Sequence, residues 1–102
     1  MNSNKDDDSR AEDIKGVVRF FTALSDGQRW RILRLLSERK EMNVHELGAT
    51  LGLSQSNISH HLSVLLERRL VDCRRDGRYV YYWICSKYVC SLLSDFKLGV
   101  IQ

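Results

Sequence analysis

The chain has 102 residues, 43% hydrophobic and 28% charged, with no proline and a net charge of +3. That length holds one small domain, which buries only roughly two-thirds of its unfolded surface and gains from a partner subunit. No run approaches the ~18 apolar residues of a membrane span, and the polar, acidic start MNSNKDDDSR is unlike a secretory signal. With three cysteines in no framework spacing, a reduced, cytoplasmic setting without a membrane partner is expected.

The charge is unevenly spread. Among residues 1–13, Lys5 and Arg10 stand against Asp6, Asp7, Asp8, Glu12 and Asp13, so this stretch carries −3 and the remainder +6. A basic body with an acidic start permits nucleic-acid binding without requiring it. Residues 1–8 are expected to form a disordered acidic arm, and residues 9–102 a single domain.

The helix starts are legible in chain order. Ser9 with Glu12 has capping-box spacing and opens a helix expected to reach Leu24. Ser25 with Gln28 opens a second, GQRWRILRLLSER. Asn43 with Glu46 opens a short third helix through about Leu51. Gly52 supplies a turn with positive φ, and Ser54 caps a fourth helix through about Arg69. The stretch LVDCRRDGRYVYYWI then changes period, and Asp76-Gly77 in its middle signals a hairpin. With these two as turn residues, Arg75 faces Arg78 and Cys73 faces Val80. Ser86 caps a fifth helix.

The expected fold is therefore mostly α with a β-hairpin wing, and the third and fourth helices form a helix-turn-helix. Val44, Leu47, Leu51, Ile58, Leu62 and Leu65 have the spacing of a small core, joined by Ile32, Leu33, Leu35 and Leu36 from the second helix.

The stretch GLSQSNISHHL carries the chemistry. Gln55, Ser56, Ser59 and His60 fall off the buried stripe, near the start of the fourth helix, where short hydrogen-bonding side chains can meet base edges in a major groove. Ser54 and Asn57 belong to the same helix start, whose free amides favour phosphate. A catalytic Ser–His pair is a poor alternative: Ser59 and His60 are adjacent and diverge, and no orienting acid is evident, so no enzyme is expected. Metal binding by His60 and His61 fails on the same geometry. His61 reads equally well as a packing residue or as a DNA contact. Arg74, Arg75 and Arg78 cluster at the wing tip, within reach of phosphate or a minor groove. Tyr79, Tyr81, Tyr82 and Trp83 read as sheet packing.

Taken together, ALSDGQRWRILRLL, ELGATLGLSQSNISHHLSVL and LVDCRRDGRYVYY, over roughly residues 20–83, resemble the ArsR/SmtB family of winged helix-turn-helix repressors. The resemblance implies a homodimeric, sequence-specific transcriptional repressor released by an effector, often a metal or metalloid ion. Gln55, Ser56, Ser59 and His60 lie where family members commonly contact operator bases. Two family effector sites are missing. In place of a C-V-C motif stands EMNVHEL, with Asn43 and His45 at the cysteine positions. The last helix, SKYVCSLLSDFKLGVIQ, has Asp95 but no histidine.

Cys85 and Cys90 fall at the hydrophobic-staple positions around Ser86, which normally touch. Two buried apolar residues fixing the helix entry is one reading. A thiol pair with lowered pKa values, open to arsenite, another soft metal ion, or a redox or sulfur signal, is the other. Cys73, mid-strand, would join them only across a dimer. Ile14, Val17, Val18, Phe21 and Leu24 of the first helix, with Val89, Leu92, Leu93 and Phe96 of the last, are expected to form a homodimer interface. The DNA partner would then be an imperfect palindrome. The rival from another class is a winged-helix module for protein contacts, with no effector.

Overall fold

The computed structural model describes the backbone of residues 3–96 and the side chains of residues 11–95. The element order is α1 (Ser3–Leu24), α2 (Gly27–Arg39), β1 (Met42–Asn43), α3 (Val44–Leu51), α4 (Gln55–Glu67), β2 (Val71–Asp76), β3 (Tyr79–Ile84) and α5 (Lys87–Phe96). The strands form one antiparallel sheet in the order β1-β3-β2. This is a winged helix-turn-helix. Among the described residues, no helix is long and apolar enough to cross a membrane.

Local chemistry sets the helix ends. Helix α1 begins at Ser3, so the Ser9 spacing lies inside the helix instead of opening it, and the helical backbone extends into the segment read as an arm. The Ser9 side chain lies outside the described residues, as do the arm's side chains and that of Phe96. Helix α2 is capped by Asp26, one residue later than expected. Its Oδ1 accepts from the backbone N–H of Gln28 at 2.8 Å and of Arg29 at 3.1 Å. Ser25 turns back instead and donates to the Thr22 carbonyl at 2.7 Å. The Asn43–Glu46 box is reciprocal, at 2.8 and 2.9 Å. Ser54 accepts from the Asn57 N–H at 3.1 Å, and Ser86 from that of Val89 at 3.3 Å. Each such cap contributes about 1 kcal/mol.

The turn between α3 and α4 is tight. Gly52 sits at φ 70°, the left-handed region that suits glycine. A Cβ on Gly48 would stand 2.8 Å from the Leu53 carbonyl oxygen, so the absent side chain lets α3 approach the turn. Helix α4 ends at Glu67, two residues short of the expected Arg69, which has φ 62° and turns the chain into β2.

The wing register differs from the expected one. Asp76 pairs with Tyr79, Arg75 with Val80 and Cys73 with Tyr82, so Gly77 and Arg78 are the turn residues. Gly77 has φ 65°, and a turn with glycine at its first central position needs positive φ only there. Asp76 is left free to stay in the strand. Strand β1 was not anticipated. Its two residues pair with Tyr82 and Tyr81, which ties the start of α3 to the wing.

The core gathers Ile32, Leu33, Leu36, Leu47, Ile58, Leu62, Leu65, Leu70 and Val89, all fully buried. Each such side chain contributes about 1.5–3 kcal/mol. Val89 and Leu93 of α5 are buried within this core, so they are not dimer-facing as expected.

Candidate nucleic-acid interface

Helix α4 is sided by its own spacing. Ile58, His61, Leu62 and Leu65 face inward, while Gln55, Ser56, Ser59 and His60 are exposed. Ser54 is exposed beside them, its hydroxyl 3.3 Å from that of Ser56. Asn57 is half-buried and less open than its neighbours.

An open groove of about 560 Å³ separates the start of α4 from the wing. Gln55 and Ser59 of α4, Arg78 and Tyr79 of the wing, and His45 of α3 line it. Gln55 donates from Nε2 to His45 Nδ1 at 3.4 Å. Sequence reasoning treated His45 only as the replacement for a cysteine. The packing of α3 on α4 brings it to the interface, and no local pattern signals that.

The three wing arginines are exposed but differ in what holds them. Arg78 stands in the turn with its guanidinium 5.3 Å from the Tyr79 ring centre. Arg75 projects from β2 beside the turn. Arg74 is engaged within the chain: it pairs with Glu41, lies 3.6 Å from Asp76 and stacks on Tyr81. The expected cluster of three phosphate-seeking arginines is thus a cluster of two with a third tied back. Tyr79 is 40% exposed rather than packed in the sheet.

His61 resolves toward packing. It is only 7% exposed, with Nδ1 3.3 Å from Arg29 Nη1 and Nε2 3.2 Å from Gln28 Oε1. Burial pushes its pKa below the ordinary histidine value; the Asp26 carboxylate opposes this and Arg29 reinforces it. At Asp26, burial pushes the carboxyl up, but the two N–H bonds with His61 and Arg29 outweigh it and hold it low.

The cysteines do not behave as a buried staple. All three are free thiols, with Cys85 and Cys90 exposed and Cys73 half-buried. The Cys85 thiol donates to the Arg69 carbonyl at 3.5 Å. Partial burial, with Asp72 nearby, pushes its pKa up, against the expected lowering. Among the described residues, no three His, Cys, Asp or Glu side chains gather as a metal site.

Along α1 and α5 runs an apolar groove of about 700 Å³, lined by Val17, Phe20, Phe21, Tyr88 and Leu92 with Glu12 and Asp13 at its rim. Ile14, Val17, Val18 and Phe21 are each more than half exposed.

Residues 26–72, from the cap of α2 into β2, match the family described as bacterial regulatory protein, arsR family. The arsenical resistance operon repressor of Bacillus subtilis is 30% identical over 89 residues, 87% of this chain and 85% of that protein. The chain belongs to the ArsR family. A transcriptional repressor SmtB homolog of Synechocystis is 41% identical over 79 residues, 78% of this chain. The chain spans 59% of that relative's length. Among solved structures, a homodimeric winged helix-turn-helix DNA-binding domain from Mycobacterium bovis, a possible ArsR-family regulator, superposes with TM-score 0.80 at 31% identity. That match covers 89% of this chain and 83% of the other. The matched ArsR segment encloses both helices of the helix-turn-helix and leaves α1, β3, α5 and all the residues lining the apolar groove outside it. These relatives are named as regulators and repressors, in keeping with the expectation that the chain is not an enzyme.

Proposed function

We propose that this ArsR-family regulator is a cytoplasmic repressor that binds duplex operator DNA as a homodimer and is released by a thiol-directed signal. The exposed polar start of α4 carries the reading: Gln55, Ser56, Ser59 and His60 stand at the end of the helix that meets base edges in helix-turn-helix proteins. Glutamine can pair with adenine, and serine and histidine supply further donors and acceptors. Ser54 and Asn57 bring the helix N-terminus to a phosphate. Arg75 and Arg78 add salt-dependent affinity along the backbone, with Arg74 contributing when its ion pair opens.

The α1–α5 groove supports the homodimer. Apolar area of this kind in water favours a partner, and the Mycobacterium bovis neighbour is a homodimer. Two recognition helices related by a twofold axis read half-sites about one DNA turn apart, so the operator is an imperfect palindrome. Exposed Cys85 and Cys90 are the candidate effector residues, toward arsenite, another soft metal ion or an oxidant. Cys73 joins them only from a second subunit.

The test is fluorescence anisotropy of the reduced protein on a duplex from its own upstream region, at several salt concentrations, with and without arsenite or peroxide. Tight binding that weakens steeply with salt supports the regulator. Release that Cys85→Ser with Cys90→Ser abolishes supports the thiol effector. Binding untouched by either agent removes the effector half of the proposal. A flat salt response without duplex binding favours a protein-interaction module instead.

A further inference from the structure

We infer that His61 is a positioning residue for the recognition helix: its neutral ring ties α4 to the start of α2, and α4 holds its DNA-reading pose only while that ring is uncharged. This rests on the DNA-binding reading above and concerns a side chain that faces away from the duplex.

Hydrogen-bond chemistry fixes the state of the ring. Both of its nitrogens face polar partners, at 3.3 Å from Arg29 Nη1 and 3.2 Å from Gln28 Oε1. A guanidinium has only hydrogens to give, so Nδ1 accepts. An amide oxygen can only accept, so Nε2 carries the hydrogen and donates. One neutral tautomer satisfies both contacts. A proton on Nδ1 would destroy the acceptor and set an imidazolium against a guanidinium at hydrogen-bond distance, inside a position that is 7% exposed.

The surrounding charges do not reverse this. From the cap of α2, Asp26 favours a charged ring, while two backbone N–H groups bind its Oδ1. From α2, Arg29 opposes it. From α4 itself, His60 opposes it, with its ring centre 5.5 Å away. The net direction is toward the neutral form. Arg29 cannot simply swing aside, because its Nε donates to the Ala23 carbonyl at 2.6 Å near the end of α1. The network thus joins the last turn of α1, the first turn of α2 and the middle of α4. His61 follows directly on Ser59 and His60, so rotating α4 to relieve a charged ring would rotate the base-reading face with it.

The test has a DNA-free arm and a DNA arm, both on the full chain. Histidine ring NMR from pH 8 to 5 should find His61 as the Nε2–H tautomer, and its protonation should coincide with a loss of α4 amide protection, measured against the intrinsic exchange rate at each pH. An Nδ1–H tautomer, or protonation that leaves α4 exchange unchanged, overturns the inference without any variant. In the DNA arm, wild-type operator affinity should fall by up to about tenfold per pH unit for each ring that charges, up to about a hundredfold for the two rings of the dimer. His61→Gln, which cannot titrate, should bind a few-fold more weakly near neutrality and lose the acid decline. His45→Gln and His60→Gln should each keep it. A decline that survives in His61→Gln, or is lost in His60→Gln, overturns the inference. Absence of salt-dependent DNA binding by the wild type at every pH sinks the DNA-binding reading, and the NMR arm still decides the role of His61.

Discussion

At the start of α4, Gln55, Ser56, Ser59 and His60 meet water as hydrogen-bonding groups, whereas along α1 and α5, Val17, Phe21 and Tyr88 meet it as hydrocarbon. The first surface is content in water, and on the proposed reading its specificity comes from exchanging water for base edges. The second costs roughly 25 cal/mol for each Å² left uncovered, so it gains by being covered whatever the sequence of its partner's ligand. On the proposed reading one face discriminates and the other associates, and the fold keeps them on different helices.

The largest effect expected from breaking this contrast lies on the associating face. Phe21→Asp places a charge in the groove while sparing the core, since Phe21 is 55% exposed in the single chain. Sedimentation should shift to the monomer, and operator affinity should fall about 10²–10⁴-fold as the two half-sites lose their linkage. An unchanged sedimentation coefficient would show that this groove is not the interface.

On the discriminating face, Gln55→Ala should cost about 1–3 kcal/mol on the operator and little on random duplex. Arg78→Ala should weaken both equally and make the salt slope shallower by about one. Matching losses for the two variants on the two DNAs would erase the division between reading and anchoring.

The smallest effect sharpens the link between the faces through His61. Its folded pKa lies below the ordinary 6.5. Between those two values the unfolded chain binds more protons, so stability rises with pH through that window. Acidification removes it, by at most ~1.4 kcal/mol per pH unit. The low carboxyl pKa of Asp26 acts elsewhere: its stabilisation persists above the ordinary aspartate value of 3.8 and is lost in stronger acid. Urea midpoints at pH 7.5 and 5.5 should therefore separate for wild type and converge for His61→Gln.

What could be read from sequence was what is decided locally. The Asn43–Glu46 box, the Ser54 and Ser86 caps and the Gly52 turn each depend on residues within three or four positions. The outward face of α4 followed from helical spacing alone. Ser25 and Asp26 both suit a cap, and the choice fell to Asp26 once Ser25 bonded back to Thr22. The hairpin register missed because Asp-Gly was taken as the turn pair, while only Gly77 needs positive φ. Features decided at a distance were not legible. Strand β1 pairs with residues about forty positions later. Arg74 meets Glu41 across a similar gap. Cys90 is exposed because Val89, about 100° round the helix, is the residue that α5 commits to the core.

Strand β1 is only two residues long, yet it fastens the wing to the residue that caps α3. The distance from the arginine of the wing turn to the first residues of α4 is therefore a length built into the protein. On the DNA-binding reading proposed above, a duplex would have to bring its phosphates to that ruler, and a site whose groove width does not match it would bind more weakly.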